Sequence, residues 1–215
     1  MNRTGLLVAV VVALAAAGCV GFLLGDNPAR FEASTATIDN DTATSHGYEL
    51  NRTEDWTFDR NVTVENRTRR VIVTSRAAKY GREIDFGALG SQRAAVVGVL
   101  STPGVSVAGE VINPVRFRGN ADLATRATSG YESLEITGNA TDETTITTLG
   151  TNTTVSTLPG RATFDGVAVD VLVHVTKVPH GDDYLVAAAV HPERVEDRAA
   201  VLDMFRNIRH GGDGG

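Results

Sequence analysis

The sequence predicts an α+β fold, in which a mid-chain helix and a C-terminal amphipathic helix pack on an antiparallel β-sheet. Three observations support this prediction. From Tyr48 onward the apolar residues recur with period two, turn-forming residues separate the successive segments, and the last segment before the Gly-rich end places apolar residues at helical spacing. The length of 215 residues, with 42% apolar composition, suffices for one core of ordinary size.

The N-terminal segment has the pattern of a lipoprotein signal peptide. Arg3 precedes an apolar run that ends in the small residues "AAAG" directly before Cys19, the only cysteine in the chain. This arrangement resembles a lipobox, in which a lipid is attached to the thiol and the preceding segment is removed. Ala16 departs from the pattern, since Leu is the commoner residue there.

An uncleaved membrane helix is the alternative, because residues 5–24 form an apolar run long enough to span a bilayer. In both cases we expect the remaining chain to be exported to the extracellular face of the cell membrane. With one cysteine, no intrachain disulfide can form, so the core has to supply the stability.

Asn-x-Thr triplets point to the same location. Six of them follow Cys19, and each is an acceptor for an N-linked glycan on an exported chain. The alternative is that Thr-rich strands and Asn-rich turns produce such triplets by chance. The candidate glycosylation sites are Asn40, Asn51, Asn61, Asn66, Asn139 and Asn152.

The charge balance argues against nucleic acid as a partner. There are 26 acidic and 20 basic residues, which gives a net charge of −6, and only Lys79 and Lys177 are lysines. An acidic surface with few lysines is typical of salt-adapted proteins. A GC-rich genome that favours arginine codons explains the same ratio.

Alternating apolar residues predict strands in "NVTVEN", "RRVIVTS" and "SQRAAVVGVLSTP". A helix is predicted from Ala121, with Asn120 as its cap and Gly130 at its end. Five further strands are predicted in "ESLEITG", "TTITTLG", "TTVSTLPGRATF", "VAVDVLVHVTK" and "YLVAAAV", and their short connections require antiparallel pairing.

The closing helix is predicted from Pro192 to about Arg209. Its buried face comprises Val195, Ala199, Leu202, Phe205 and Ile208. We therefore expect a signal peptide at 1–18 (or an anchor to about 25), a tether with one edge strand at 19–45, a single α+β domain at 46–210 and a disordered tail at 211–215.

Several stretches together resemble a family of haloarchaeal lipoproteins of unknown function: "GCVGFLLGD", "FEASTATI", "RVIVTSRAAKYGRE", "VLSTPGVSVAGEVINPV" and "HGDDYLVAAAVHP". The resemblance implies a lipid anchor and an extracytoplasmic location, and it brings no catalytic residues. The order of elements is also similar to the PsbP-like fold of photosystem accessory proteins, a likeness of topology that carries little information on function.

Motifs for phosphate, dinucleotide or zinc-protease chemistry are absent from the sequence, so we expect no cofactor and no catalytic residues. The best cluster of potential metal ligands is His174, His180, Asp182, Asp183 and His191. We expect a strand position for His174, a turn position for His180 and a helix-capping role for His191. These roles spread the histidines along the hairpin and argue against a metal site.

Two other stretches allow a functional or a structural interpretation. "STPGVSVAGEVINP" is either a loop that faces a ligand or two turns that flank a short strand, and we favour the turns. Trp56, the only tryptophan, is expected to pack rather than to stack on a sugar.

For the function we prefer a surface-anchored binding or structural module. An anchored hydrolase or metal-dependent enzyme is the alternative. The one partner that the sequence indicates is membrane lipid, bound through Cys19; a surface protein or glycan partner is not identified.

Overall fold

The computed structural model describes residues 28–64, 67–85, 87, 90–107, 110–111, 113–128, 134–164 and 166–211. The predicted signal peptide, Cys19, Asn66 and residues 212–215 lie outside the described residues. The chain divides into two compact units. Among the described residues, the smaller unit contains 28–31 together with Thr57–Thr74, and the larger unit contains Glu32–Trp56 together with those from Ser75 onward.

Within the described ranges the chain forms thirteen strands and three α-helices. The strands are β1 (Ala29–Glu32), β2 (Ala36–Ile38), β3 (Glu49–Val64), β4 (Arg67–Asp85), β5 (Ser91–Pro103), β6 (Ser106–Val107), β7 (Glu110–Val111), β8 (Leu134–Ile136), β9 (Asp142–Thr148), β10 (Thr151–Phe164), β11 (Val167–His180), β12 (Asp183–Pro192) and β13 (Ile208–His210). The helices are α1 (Asn40–Ser45), α2 (Asn120–Thr128) and α3 (Arg198–Arg206), and Pro114–Phe117 form a 3-10 turn.

The predicted α+β class is wrong, because 65% of the described residues lie in strands and 16% in helices. The long closing helix accounts for part of the error. Pro192 ends β12, the helix occupies only Arg198–Arg206, and Ile208–His210 form β13. Among the helices that the structure describes, none is both long enough and apolar enough to cross a membrane.

The main sheet of the larger unit is antiparallel, and its strands follow the order β4–β5–β12–β11–β10–β8. Strand β9 also pairs with β10, so β8 and β9 lie along the same edge of that strand. The antiparallel pairing predicted for the successive strands β9 to β12 is confirmed, whereas the predicted pairing of β8 with β9 is wrong, because β8 pairs with β10.

The centre of this sheet is buried on both faces. In β12, Leu185, Ala187 and Ala189 belong to one apolar cluster, and Val186 belongs to a second cluster on the opposite face. Helix α3 contributes to the first cluster and helix α2 to the second. Burial on both faces explains why β12 reads as a nearly continuous apolar run.

Part of the predicted tether is packed into the larger unit. Strand β2 pairs with β13, with Ile38 opposite Ile208, and Ala36, Ile38 and Ala43 of α1 are buried. The two strands could not be recognised from sequence because each is only three residues long. Residues 36–45 therefore belong to the folded unit, and three of them belong to its core.

Strands β3 and β4 pair with each other and extend well beyond the short motifs that predicted them. In the smaller unit, cross-strand contacts join the hydroxyls of Thr57 and Thr74 at 3.2 Å and those of Thr63 and Thr68 at 2.9 Å. Polar cross-strand pairs of this kind stabilise the pairing of β3 with β4, and Val71 and Ile72 of β4 are buried in the same unit.

Candidate functional site: two histidine clusters

The predicted cluster of metal ligands divides into two groups in the structure. His174 and His191 contact each other in the interior, whereas His180 contacts His210, a residue that the prediction did not include. Asp183 lies in the second group. Asp182 lies in the turn after β11, where its side chain is exposed.

The inner histidine pair, His174 and His191, lies on neighbouring strands β11 and β12. The register places His174 opposite Ala189 and His191 opposite Leu172, so the two imidazoles occupy diagonal positions on one face of the sheet. Their Nε2 atoms are 2.9 Å apart and their rings stack with centroids 5.1 Å apart. Both residues are fully buried.

One tautomer arrangement satisfies every nitrogen of the inner pair. The Nδ1 of His191 lies 2.9 Å from the carbonyl oxygen of Pro192 and therefore carries a proton, which leaves its Nε2 as an acceptor. The Nε2–H of His174 donates to that acceptor, and the hydroxyl of Thr157 donates to Nδ1 of His174 at 2.9 Å. Both imidazoles are neutral in this arrangement.

Burial favours the neutral forms of both rings. Desolvation, followed by the nearby His191, lowers the pKa of His174 to about 3, and desolvation also lowers the pKa of His191. If both rings were protonated, two Nε2–H groups would face each other across 2.9 Å. The inner pair is therefore suited to holding strands together and is a poor acid or base at neutral pH.

The outer histidine cluster comprises His180, His210, Asp183 and Ser101. The Nδ1 atoms of His180 and His210 are 2.8 Å apart, and Nε2 of His210 lies 3.0 Å from Oδ2 of Asp183. The same carboxylate oxygen accepts from the backbone N–H of Ser34 at 2.8 Å and from the Ser101 hydroxyl at 3.4 Å. His180 is half-buried, and the other three side chains are buried.

The outer cluster contains the residue types of a Ser-His-Asp triad but not its geometry. A triad needs one imidazole nitrogen toward the serine and the other toward the carboxylate. Here Nε2 of His210 faces both, at 3.2 Å from Ser101 Oγ and 3.0 Å from Asp183 Oδ2. Ser101 is also 0% exposed, so a substrate in solvent cannot reach its hydroxyl.

Neither cluster gathers a set of metal ligands. Within the described part of the chain, no three His, Cys, Asp or Glu side chains converge in a way that would hold an ion. In the outer cluster the Nδ1 atoms of His180 and His210 face each other. Asp183 contacts Nε2 of His210, on the opposite side of that ring.

An open groove of about 610 Å³ lies beside the start of α3. Its lining is mixed in charge, and the two buried polar groups in it, His191 and Asp197, already have partners. Asp197 accepts a short hydrogen bond from the Tyr48 hydroxyl and pairs with the Arg82 guanidinium at 3.0 Å. Burial and this contact raise the pKa of Tyr48 well above its usual value.

The two remaining stretches take largely structural positions. In "STPGVSVAGEVINP", β6 and β7 form a small antiparallel pair, and the side-chain amide of Asn113 donates to the carbonyl oxygen of Pro103 at 2.6 Å. The turn interpretation had one short strand between two turns, whereas the structure has two short strands that pair with each other. Trp56 is 42% exposed, with the Lys79 ammonium 5.8 Å from its ring centroid, so it is less packed than we expected.

The five sequon asparagines that the structure describes are all exposed. They lie in different local structures: Asn40 is in α1, Asn51 and Asn61 are in β3, Asn152 is in β10, and Asn139 is in the loop between β8 and β9.

Two members of the outer cluster, Ser101 and His210, were not among the predicted metal ligands. Ser101 lies in a predicted strand and begins the stretch "STPGVSVAGEVINP", for which turns were favoured over a loop that faces a ligand. His210 was placed after the predicted closing helix, which was expected to end at about Arg209, although it lies in β13. A signal was available for the inner pair, because a two-residue turn at Gly181-Asp182 fixes the register and makes His174 and His191 diagonal neighbours.

The fold and the clusters together define a mostly β domain whose histidines are engaged in internal contacts. Residues 35–209 match the family described as a domain of unknown function, DUF6517, and the chain belongs to that family. No curated protein matches the sequence significantly. The family match carries no information on lipid attachment, source organism or a PsbP-like relationship.

Proposed function

We propose that this DUF6517 protein is exported and held at the cell surface by a lipid on Cys19, and that its domain acts by binding or as a structural module. The observation that carries the proposal is the exposure of all five described sequon asparagines, which lie in a helix, two strands and a loop. An N-glycan requires a solvent-facing asparagine on an exported chain. The "AAAG" sequence before Cys19 supports the anchor.

A haloarchaeal origin is part of the same proposal. The support comes from the acidic net charge of −6, the presence of only two lysines and the resemblance of several stretches to haloarchaeal lipoproteins. At high ionic strength, carboxylates at the surface keep a protein hydrated while attraction between exposed charges is screened.

A binding role is favoured over catalysis because of where the reactive groups lie. Ser101, His174 and His191 are buried and hydrogen-bonded to neighbouring side chains, and His210 is held by Asp183. Catalysis needs a nucleophile or an acid-base pair that a substrate can reach. His180 is the member of the two clusters that is partly accessible.

The anchor is tested by labelling cells with a radioactive lipid precursor. Cys19→Ser should abolish labelling and leave the first eighteen residues attached, whereas the matched variant Gly18→Ala, which keeps a small residue before the thiol, should still be labelled and cleaved. An unlabelled full-length wild-type protein in the membrane fraction would contradict the lipid anchor and support a single-pass helix.

The binding role is tested by screening the detergent-solubilised full chain against ester, phosphate, peptide and glycoside substrates at high salt. We expect no turnover above that of a heat-denatured sample. Turnover that disappears in His180→Ala, and in the more conservative His180→Gln, would overturn the proposal in favour of an anchored enzyme.

A further inference from the structure

The sequon at Asn139 occupies a position that the other described sequons do not share. Strands β8 and β9 lie along the same edge of β10, and the loop between them carries Asn139. The chain is exposed from Thr137 to Thr141. This segment is therefore an interruption in the edge of the sheet.

The strand registers show how large the interruption is. Ile136 lies opposite Gly160, and Asp142 lies opposite Thr157, so three more residues are present on the β8–β9 side than on β10. Two backbone hydrogen bonds lie at the ends of this loop, one from the N–H of Thr137 to the Pro159 carbonyl and one from the N–H of Thr141 to the Thr157 carbonyl. Asn139 lies at its middle.

The other described sequons are part of regular structure. Asn51 and Asn61 lie in β3, and Asn152 lies in β10 opposite Thr147, whose hydroxyl donates to its side-chain oxygen at 2.7 Å. The oxygen of Asn51 accepts from Arg93 at 3.1 Å. In the helical sequon at Asn40, both the N–H and the hydroxyl of Thr42 donate to Asp39.

We propose that, among the five sequons that the structure describes, Asn139 is the one that receives an N-linked glycan on the folded domain. The proposal rests on the export proposed above, and it selects one site among these five. In the transfer, the side-chain amide nitrogen of Asn139 forms a bond to the anomeric carbon of a lipid-phosphate-linked oligosaccharide. The bond from that carbon to the phosphate oxygen breaks, the phosphate leaves with the electron pair, and an amide proton passes to a base of the transferase.

Asn139 is favoured because fewer backbone hydrogen bonds have to open before a transferase can bind its tripeptide. A transferase has to enclose the asparagine and the hydroxyl two residues later, and a segment within a sheet or helix must first open its backbone hydrogen bonds. The tripeptide at Asn139 has one backbone hydrogen bond to β10, from the N–H of Thr141 to the Thr157 carbonyl, so less of the ladder has to open than at a sequon within a strand. The Thr141 hydroxyl donates to the Thr157 carbonyl at 3.3 Å. This hydrogen bond is long and therefore weak, so it is easily broken when the hydroxyl binds elsewhere.

The test is site-resolved mass spectrometry of the full chain, purified from a host that glycosylates exported proteins. Cleavage after glutamate separates the two neighbouring sequons, because Glu143 lies between Asn139 and Asn152. We expect occupancy at Asn139 at least about tenfold higher than at Asn51 or Asn152, since each ladder bond that must open lowers the accessible fraction. Asn139→Gln and Thr141→Ala should each remove the glycan mass.

The matched control is Asn152→Gln, an exposed sequon asparagine within a strand, which should leave the glycan mass unchanged. Equal or higher occupancy at Asn152 or Asn51 overturns the proposal, and so does an Asn139→Gln protein with an unchanged glycan mass. A chain without any glycan also overturns it. Lipid labelling and protease accessibility on intact cells, measured on the same sample, report separately whether export has failed.

Discussion

The inner histidine pair and the outer histidine cluster use the same residue types on the same sheet but in different surroundings. His174 and His191 lie where β10, β11 and β12 run side by side, and their partners are a hydroxyl, a carbonyl and each other. His180 and His210 lie at strand ends, where Asp183 supplies a carboxylate. Burial of the inner pair disfavours a charged imidazole, whereas the outer cluster contains the carboxylate of Asp183.

This difference shows that position along the strand, rather than residue type, sets what these histidines can do. Two imidazoles buried in mid-sheet can only be neutral hydrogen-bonding partners, because desolvation lowers the pKa of both. A half-buried imidazole such as His180 remains within reach of solvent. The following predictions perturb the two regions separately.

The largest effect is expected from the apolar cluster on the face that carries the inner pair. Phe205 of α3 is 0% exposed, so Phe205→Ala should lower the free energy of unfolding by about 3 to 5 kcal/mol. Urea denaturation followed by circular dichroism measures this loss. The matched control is Phe117→Ala at a phenylalanine that is 72% exposed, which should cost less than about 0.5 kcal/mol. Equal losses in the two variants would show that α3 does not pack as described.

Acid should destabilise the protein through the inner pair. The folded-state pKa of His174 is about 3 and that of His191 is also lowered, so the unfolded chain takes up protons below about pH 6.5 that the folded chain does not. The contribution of the inner pair to the free energy of unfolding is therefore fully present above that pH. As the pH falls below it, this free energy decreases by up to about 1.4 kcal/mol per pH unit for each proton that the unfolded chain takes up.

Urea denaturation between pH 7 and pH 5 measures this slope before most carboxylates titrate. The double variant His174→Gln, His191→Gln should lose most of the slope, and His180→Gln should retain it. A wild-type stability that is constant across this interval would contradict the neutral assignment of the inner pair.

Removing the hydroxyl that donates to the inner pair tests its hydrogen-bonding arrangement. Thr157→Val leaves Nδ1 of His174 without its donor in a buried site and should cost about 1 to 3 kcal/mol. Thr147→Val, at an exposed threonine whose hydroxyl contacts Asn152, is the matched control and should be nearly neutral. If the two substitutions cost the same, the Thr157 contact contributes no net stability.

In the outer cluster, the two histidines should differ in importance. His210→Ala removes a buried partner of Asp183 and should cost about 1 to 2 kcal/mol, whereas His180→Ala should cost less than about 1 kcal/mol because it is partly solvated. Thermal unfolding of both variants measures the order. A larger loss for His180→Ala would show that the His180–His210 contact, rather than Asp183, holds the cluster.

The sheet could be predicted from the sequence more reliably than the fold class. Period-two alternation and two-residue turns identified β9 to β12, because each of these strands pairs with its neighbour in sequence. The closing segment was misassigned because Ile208 fits the helical spacing although it is buried in β13 opposite Ile38. That pairing joins residues 170 positions apart, and no local pattern records it.

The clusters were only partly predictable for the same reason. The inner pair joins neighbouring strands, so turn geometry alone brings His174 and His191 together. The outer cluster combines Ser101, Asp183 and His210 from three separate elements. Its members become neighbours only after β13 has paired with β2 and β5 has paired with β12.

The anchor is the feature on which the proposed location depends most. Tryptic digestion of the protein extracted from membranes cuts after Arg30, so the N-terminal peptide reports directly on Cys19. We expect a peptide that begins at Cys19, ends at Arg30 and carries additional mass from a lipid on the thiol. An unmodified peptide from Thr4 to Arg30, with Gly18 still joined to Cys19, would contradict it.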